Sequence, residues 1–448
     1  MSPQPTPHEP SPEARALQHR AHRLIPGGSH TYAKGDDQYP DTAPPLIVRG
    51  EGCHEWDTDG RRYIGYALGQ RCVTLGHGRA EVVEAAARAL RDGTNFNRPS
   101  LLEGDAAEAL LSLVPAADMV KFTKDGSTAN TAALKLARAA TGRRFVGLCV
   151  DHPFFSYDDW AMGITPVDAG IPDEAKALTD TFRFNDLDSV DALFDRHPGD
   201  VACLMLEPCR PDVDPAPGFL EGLRQRCSER GTVLVFDEMT TGFRFHLGGG
   251  QALFGVAPDL STFGKAMGNG VAISALLGIR DLMELGGLAT TAPRVFLLST
   301  THGAESPGLA AAMAVMDIYL REGVVDRLAQ TGETLRTLLG QVIDAAGVGD
   351  AVDVRGRPQG LLFGTRDPQG RPSQAYRTLF LQELVRNGVL APSLLVSNAH
   401  TARDLDHTAR AFAAALEVYR QALERGGVDG LLVGPPSMSV YRRHNVEP

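Results

Sequence analysis

Four short apolar runs, each followed within two residues by a charged side chain, constrain the fold of this chain more than any other feature. They are residues 145–150, 201–206, 233–236 and 260–263. Each run is short enough for a β-strand, and segments rich in helix-forming residues, such as 80–92, alternate with strand-like runs along the chain. This alternation is typical of an α/β domain built on a mainly parallel central sheet.

The charged residues after these runs are expected to lie along one edge of the sheet, where parallel α/β sheets bind ligands. They are Asp151, Glu207, Asp237 and Lys265. A lysine and an aspartate are the two groups that pyridoxal phosphate chemistry needs most, because the amine forms a Schiff base with the cofactor aldehyde and the carboxylate pairs with the pyridine nitrogen. Lys265 is therefore the predicted catalytic residue, and Asp237 is predicted to bind the cofactor.

A phosphate-binding turn is predicted at 124–130, where Lys-Asp-Gly-Ser-Thr-Ala-Asn precedes a helix over 131–140. Gly126 allows close approach of the backbone, Ser127 offers a hydroxyl, and free amides at a helix start bind dianions. Taken alone, Gly-Ser-Thr before a helix is more often an N-cap. Its position ahead of the Asp237 and Lys265 strands supports the phosphate-binding interpretation.

A chain of 448 residues is long enough for two or three structural units. We expect a disordered, proline-rich tail over 1–16 and a large cofactor-binding domain over 76–330. Residues 17–75 carry two β-type runs around Asp59-Gly60, which predict a hairpin joining a smaller domain. Residues 331–448 alternate helical and β-like segments and are predicted to form that smaller α+β domain.

Composition excludes several classes of function. With 44 Lys and Arg against 55 Asp and Glu, the net charge of −11 argues against a nucleic-acid partner. No stretch approaches the about 18 consecutive apolar residues of a membrane span, and the first residues lack the apolar region of a signal peptide. The six cysteines show no C-x-x-C spacing, which predicts free thiols in the cytoplasm and no metal site.

Three segments resemble the marker motifs of class III pyridoxal phosphate-dependent aminotransferases, especially the branch of glutamate-1-semialdehyde aminomutase. They are Lys-Asp-Gly-Ser-Thr-Ala-Asn at 124–130, Phe-Asp-Glu-Met-Thr-Thr-Gly-Phe-Arg at 236–244 and Phe-Gly-Lys-Ala-Met-Gly at 263–268. Ile-Pro-Gly-Gly-Ser at 25–29 is also similar. The similarity extends over nearly the whole chain.

The resemblance implies a fold-type I enzyme that uses pyridoxal 5′-phosphate, with pyridoxamine phosphate as its intermediate form. It also implies a homodimer with active sites at the subunit interface. Gly126 and Ser127 match the phosphate-binding turn, and Thr301 matches the threonine that reaches the partner subunit's phosphate. Glu207 matches a Glu-Pro pair and is expected to contribute to the cofactor site by positioning its neighbours.

The chain departs from the family where relatives stack an aromatic ring on the cofactor. In place of Tyr-His-Gly it has Asp-His-Pro-Phe-Phe-Ser at 151–156. Phe154 and Phe155 can each supply a face for stacking, and Phe154 is the choice by register. Phe155 is then expected to contact the substrate. Both could instead be ordinary core aromatics.

A second departure concerns the substrate. True semialdehyde aminomutases carry an arginine after Pro-Gly-Gly that binds a substrate carboxylate with two hydrogen bonds, and here residues 29–34 read Ser-His-Thr-Tyr-Ala-Lys. Lysine cannot form the same pair of parallel hydrogen bonds to a carboxylate. We expect Tyr32 and Lys34 to contact a polyhydroxylated or amine-bearing substrate, as in relatives that act on sugars or aminoglycosides in antibiotic pathways.

The predicted activity is ping-pong transfer of an amino group from glutamate or glutamine to an aldehyde or ketone of a sugar or aminoglycoside-like acceptor. An intramolecular aminomutase and an epimerase at an amine-bearing carbon are isomerase-like alternatives that use the same residues. A binding protein that has lost catalysis is a further alternative, against which Lys265 and Asp237 argue. A metal hydrolase has no H-x-x-x-H or H-E-x-x-H motif to support it.

Overall fold

The structure, a computed structural model, describes residues 9–152 and 154–444. Its strands are β1 Ile47–Glu51, β2 His54–Asp57, β3 Arg62–Gly65, β4 Met119–Thr123, β5 Phe145–Cys149, β6 Thr179–Phe182, β7 Val201–Leu206, β8 Val233–Asp237, β9 Leu260–Phe263, β10 Ser274–Gly278, β11 Val352–Arg355, β12 Leu362–Thr365 and β13 Val389–Leu390.

The helices are α1 Pro12–Leu24, α2 Leu68–Arg71, α3 Ala80–Asp92, α4 Leu101–Leu113, α5 Gly126–Thr141, α6 Asp159–Met162, α7 Asp173–Lys176, α8 Leu187–Arg196, α9 Phe219–Arg230, α10 Gly249–Phe254, α11 Arg280–Met283, α12 Ser306–Glu322, α13 Val324–Ala346, α14 Gln374–Arg386 and α15 Ala402–Arg425. Short 3-10 turns occur at Pro26–Gly28, Tyr32–Lys34, Asp36–Gln38, Lys265–Gly268, Glu284–Gly286 and Pro358–Gly360.

The chain divides into two compact units. Among the described residues, the terminal unit holds residues 9–70, Thr74–Arg79 and Asp326–Val440. The central unit holds Arg71–Val73, Ala80–Val325 and residues 441–444. The domain boundaries predicted from the sequence at 75/76 and 330/331 stay predictions.

The central unit is built on a sheet with the strand order β4-β10-β9-β8-β7-β5-β6. Strands β9, β8, β7, β5 and β6 are parallel neighbours, and β10 runs antiparallel to both β9 and β4. The predicted α/β fold with a mainly parallel central sheet is confirmed.

Both faces of this sheet are covered, which explains why its central strands are apolar without alternation. Met205 and Val235 belong to a core that includes apolar side chains of α5. Leu206 and Phe236, each one residue further along its strand, belong to a second core with side chains of α8 and α9. Burial on both faces fixes the strand ends, and with them the polar residues that follow.

The terminal unit contains a sheet with the order β1-β2-β3-β13 and a separate β11-β12 pair. Strands β1, β2 and β3 are antiparallel, and β13 pairs parallel with β3. The turn between β2 and β3 contains Gly60 at φ 77°, the left-handed conformation that an Asp-Gly turn favours.

The predicted disordered tail over 1–16 needs a correction. Residues 1–8 lie outside the described residues, but helix α1 begins at Pro12, so residues 12–16 are helical. The Ser11 side chain accepts a hydrogen bond from the backbone amide of Ala14, and Pro12 occupies the first turn, where its missing N–H is not needed. These start signals outweigh the proline-rich composition around them.

Candidate active site

Lys265 lies directly after β9, as the first residue of a 3-10 turn. Its backbone φ is 44°, and its Nζ donates a hydrogen bond to Thr240 Oγ1 at 3.4 Å. The preceding Gly264 allows this turn, because a Cβ there would lie 2.4 Å from Ser274 Oγ and 2.6 Å from Met239 Sδ. Burial lowers the pKa of Lys265, which increases the fraction of neutral, basic amine.

Asp237 ends β8 and is buried. Its Oδ1 accepts a hydrogen bond from the backbone amide of Met239 at 2.9 Å, and its Oδ2 accepts one from Asn130 Nδ2 at 2.8 Å. Both of these contacts are donated to the carboxylate, so they favour its ionised form.

Asn130 holds Asp237 in place and is a residue that sequence reasoning did not assign to the site. Its amide nitrogen also donates to the Phe155 carbonyl at 2.7 Å, and its Oδ1 accepts from Thr262 Oγ1 at 2.7 Å. These contacts fix both ends of the buried amide. The sequence signal that could have identified Asn130 is its polar side chain among the apolar positions of α5, within the motif at 124–130.

Three ionisable groups interact at this site, namely Lys265, Asp237 and Glu207. Burial and the nearby Asp237 carboxylate raise the pKa of Glu207 to about 7. Burial raises the pKa of Asp237 as well, while the charge of Lys265 opposes that shift. The cluster can therefore hold or release a proton close to neutral pH.

The predicted phosphate-binding turn forms the start of α5. Asp125 is the N-cap, and its Oδ1 accepts the Thr128 amide at 2.8 Å. A Cβ at Gly126 would lie 2.9 Å from Met239 Sδ, so glycine is required for close packing. Ser127 Oγ accepts the Tyr157 amide at 3.3 Å. The first amides of a helix have no intrahelical partner and lie at its positive end, which suits a phosphate dianion.

These groups meet at one cavity of about 330 Å³. Among the described residues its lining includes the predicted Gly126, Ser127, Phe154, Phe155, Asp237 and Lys265. It also includes residues that sequence reasoning missed, namely Cys72, Lys124, Asp125, Met239 and Gly270–Ser274. Glu207 and Thr301 are not part of the lining in the described chain.

The two adjacent phenylalanines differ in environment. Phe155 is only 4% exposed and packs in the central unit's core, whereas Phe154 is 45% exposed. Phe154 therefore has the freer ring, and the stacking role of Phe154 and the substrate contact of Phe155 stay predictions.

Thr301, Tyr32 and Lys34 lie in exposed or partly exposed segments. Thr301 is exposed in a turn ahead of α12 in the central unit. In the terminal unit, Tyr32 is 68% exposed, and Lys34 lines a cavity of about 430 Å³. The roles predicted for these three residues stay predictions.

The residues around the central unit's cavity fit pyridoxal phosphate. They supply an amine for the aldehyde, a buried carboxylate for the pyridine nitrogen, a helix start for the phosphate and an accessible aromatic ring. The donor set contains each group that this cofactor requires.

Comparison with known proteins agrees with this chemistry. The sequence profile of the family described as aminotransferase class-III matches residues 36–152 and 156–410, and so omits the divergent segment around Phe154. The chain is 33% identical over 415 residues to a glutamate-1-semialdehyde 2,1-aminomutase of Syntrophobacter fumaroxidans, covering 87% of this chain and 94% of that protein.

Two solved structures resemble the whole chain. The FumI protein of Sphingopyxis sp. MTA144, in its PLP internal aldimine form, has a TM-score of 0.85 and 27% identity, covering 92% of this chain and 98% of that one. An omega-transaminase from Sphaerobacter thermophilus has a TM-score of 0.82 and 28% identity, covering 92% of this chain and 99% of that one.

Proposed function

The chain belongs to the class III aminotransferase family, and from this premise we propose that it transfers an amino group from glutamate or glutamine to a sugar or aminoglycoside-like aldehyde or ketone. It is an enzyme, and its cofactor is pyridoxal phosphate, as in the relatives that it matches. The proposed kinetics are ping-pong, and the proposed setting is antibiotic biosynthesis.

The residues proposed to hold the cofactor are those of the central unit's cavity. Lys265 would bind its aldehyde carbon, Asp237 its ring nitrogen, and the α5 start at Gly126 and Ser127 its phosphate. Phe154 would cover the ring, and Glu207 would set the charge around Lys265 and Asp237. When bound, the cofactor supplies an electron-withdrawing ring that stabilises negative charge at the substrate carbon.

Lys265 is proposed to move the proton in each half-reaction. Burial lowers the pKa of its amine, so a neutral Nζ could accept the proton released at the substrate carbon and hold it for return. The Thr240 hydroxyl, 3.4 Å from Nζ, can hold the amine in place between these transfers. Asp237, held by Asn130 and the Met239 amide, keeps a negative charge opposite the ring nitrogen.

The substrate class rests on the polar cavity of the terminal unit that Lys34 lines. This cavity is also lined by three carboxylates, from Asp36, Asp41 and Glu55, which outnumber its two permanent cations, Arg15 and Lys34, and by the Ser29, Tyr39 and His77 side chains. Carboxylates suit ammonium groups and hydroxyls, and they repel a dicarboxylate. This observation supports an amine-bearing, hydroxylated substrate.

The test is a set of half-reactions followed by the absorbance of the bound cofactor. The proposal predicts that glutamate or glutamine converts the enzyme to its pyridoxamine form and that an oxidised sugar or aminoglycoside converts it back. Tyr32→Phe and Lys34→Arg should raise KM for the sugar acceptor and leave the first half-reaction unchanged. If both variants turned over the sugar acceptor with the same KM and kcat as the parent, the assigned substrate contacts would be wrong.

Aminomutase activity is the second candidate, favoured by the 33% identity to a glutamate-1-semialdehyde 2,1-aminomutase. An aminomutase or an epimerase needs no separate amino donor. Turnover of one substrate by the holoenzyme, with no amino acid added and no keto acid formed, would support this alternative and exclude a two-substrate transfer.

We also propose a homodimer in which Thr301 serves the partner subunit's cofactor phosphate. Its exposed position ahead of α12 is compatible with a contact in trans. Refolding Lys265→Ala together with Thr301→Ala should then produce hybrid dimers with one intact site and restored activity. A mixture of Lys265→Ala with the Lys265→Ala/Thr301→Ala double variant is the inactive control, and failure of the first mixture to regain activity would contradict the trans contact.

The proposed compartment is the cytoplasm. The buried cysteines Cys53, Cys149, Cys203 and Cys227 form no disulfide, as is usual where thiols are kept reduced. Among the described residues, no helix combines the length and apolar character needed to cross a membrane. Recovery of the natural protein from a secreted rather than a cytosolic fraction would contradict the proposed location.

A further inference from the structure

The terminal unit contains a second large cavity, of about 750 Å³, whose charge is unusual for this chain. Its walls come from β3, the turn after α14 and the first two turns of α15. Its charged lining residues are Arg61, Arg62, Arg386, Arg403, Arg410, His54, His407, Asp404 and Asp406. Five arginines thus share one cavity in a protein whose net charge is −11.

Two of the five arginines are neutralised by neighbouring carboxylates. Arg61 pairs with Asp59 at 3.3 Å, and Arg386 pairs with Glu383 at 2.7 Å. Within the described chain, the other three, Arg62, Arg403 and Arg410, are exposed and have neither an ion pair nor a hydrogen bond. The cavity therefore holds three uncompensated guanidinium groups.

The acidic residues of the cavity do not balance these charges. Asp404 is held by two other lining residues, because its Oδ1 lies 3.0 Å from His54 Nε2 and its Oδ2 accepts a hydrogen bond from the Thr401 amide at 2.8 Å. Asp406 is the remaining carboxylate. Asp404 keeps its negative charge, so three free positive charges face the two carboxylates Asp404 and Asp406, and the excess of one positive charge can be offset by a bound anion.

The arginines are also placed for recognition of a phosphate group. Arg403 and Arg410 are seven residues apart on α15, so they lie on one face of the helix, and His407 lies between them. His407 is fixed by a 2.8 Å contact between its Nε2 and the Asn387 carbonyl. Guanidinium groups bind phosphate oxygens through paired hydrogen bonds, and the nearby α15 start adds a positive helix end.

A metal ion is a weaker candidate for this cavity. Ligand atoms of Cys53, His54 and Asp404 lie within 4.8 Å of one another. However, both Asp404 oxygens already accept hydrogen bonds, and the positive charge of Arg62 acts on Cys53. The uncompensated arginines favour an anion over a cation at this position.

We propose that this cavity binds a compact phosphate dianion, separately from the cofactor. The shared chemistry covers free inorganic phosphate and the phosphate group of a small metabolite ester. The cavity belongs wholly to the terminal unit and shares no lining residue with the cavity around Lys265. This inference does not depend on the substrate class proposed above.

Isothermal titration calorimetry on the holoenzyme, in phosphate-free buffer, tests the proposal. The bound cofactor's own phosphate occupies the α5 turn, so it removes that competing site. Inorganic phosphate and glycerol 3-phosphate are the two probes, with sodium chloride at equal ionic strength as the control for screening. We expect saturable binding of about one phosphate group per chain. The probe that binds with the higher affinity shows whether the cavity prefers free phosphate or a phosphate ester.

The variant Arg403→Ala/Arg410→Ala should weaken phosphate binding by about tenfold or more, because two charge-assisted contacts are lost. The matched control Arg20→Ala/Arg91→Ala removes two exposed arginines of α1 and α3 and should bind phosphate like the parent. Arg403→Lys/Arg410→Lys, which keeps the charge, should bind with intermediate affinity and covers the case in which the alanine variant misfolds. Undetectable binding by the parent, or equal binding by parent and alanine variant, would overturn the proposal.

Discussion

At the scale of single residues, Asn130 shows how one buried amide can determine the chemistry of its neighbour. Its nitrogen joins Asp237 to the Phe155 backbone, and its oxygen accepts from Thr262. A carboxylate held from two sides presents a fixed negative charge, which is what a bound pyridine nitrogen requires. In the proposed site, a residue that does not touch the cofactor would therefore help to set the cofactor's electronic properties.

Replacing this amide is predicted to impair catalysis more than binding. Asn130→Ala should lower kcat by about 10- to 100-fold, the usual effect of removing an orienting partner, with a smaller change in KM. The pH at which the bound cofactor's absorbance titrates should also shift, because Asp237 would lose one hydrogen bond. Asn97→Ala, in an exposed segment of the same unit, is the control. An unchanged kcat together with an unchanged titration would contradict the positioning role.

Lys265 and Asp237 could be found in the sequence because each follows an apolar run that can only be a buried strand. Asn130 could not be assigned in the same way. Its role depends on α5 facing Asp237 and Thr262, which are 107 and 132 residues away along the chain. Periodicity identifies a helix, but it does not say which distant side chains the helix will meet.

At the scale of elements, the turn between β9 and Lys265 depends on a glycine with no room for a side chain. Gly264→Ala would place a Cβ 2.4 Å from Ser274 Oγ and 2.6 Å from Met239 Sδ. We expect a lower melting temperature, by an amount equivalent to about 1–3 kcal/mol of overpacking, and weaker cofactor binding. Thermal unfolding and titration with pyridoxal phosphate measure the two effects.

Gly104→Ala in helix α4 is the matched control, since a Cβ there meets nothing within 4 Å. Alanine is the better helix former, so this variant should be as stable as the parent or slightly more stable. If Gly264→Ala and Gly104→Ala had the same melting temperature and cofactor affinity, the turn would not depend on the absence of a side chain at Gly264.

Element boundaries were predicted well where packing on both sheet faces left no alternative. The α/β alternation and the central strands followed from sequence because those strands carry no polar face. The start of α1 differs from the predicted disordered tail. Proline-rich composition favours disorder over residues 1–16, but the local helix-start signal Ser11-Pro12-Glu13 decides the structure from Pro12 onward.

At the scale of the whole molecule, Glu207 should make stability depend on pH. Its pKa in the folded protein is raised from 4.5 to about 7, so the native state holds a proton that the unfolded chain releases. Stability from this group is therefore present below about pH 4.5 and is lost as pH rises through about 7, by up to about 3 kcal/mol.

Glu207→Gln should remove this dependence. Between pH 5 and pH 8 the apoenzyme of the variant is expected to lose less unfolding free energy than the parent, as measured by urea denaturation at each pH. Glu229→Gln, an exposed position on α9, should follow the parent. Parallel curves for the parent and Glu207→Gln would show that the buried carboxyl is not protonated near neutral pH.

Some backbone features of the whole chain had no sequence signal. Leu68–Arg71 is a left-handed turn, with φ of 47°, 59°, 61° and 76° at its four residues, although only Gly69 favours that conformation. Local preference therefore does not account for its geometry. The neighbouring Cys72 lines the cavity around Lys265, whereas the sequence predicts only that it is a free thiol.

The most direct test of the central claim is the visible absorbance of the purified protein with added pyridoxal phosphate, compared with that of Lys265→Ala. We predict a cofactor band that survives dialysis in the parent and in Lys135→Ala, which replaces an exposed lysine of α5. In Lys265→Ala that band should be lost, and amino transfer should fall by at least about a thousandfold. A dialysis-stable band and normal turnover in Lys265→Ala would contradict the assignment of Lys265 as the residue that carries the cofactor.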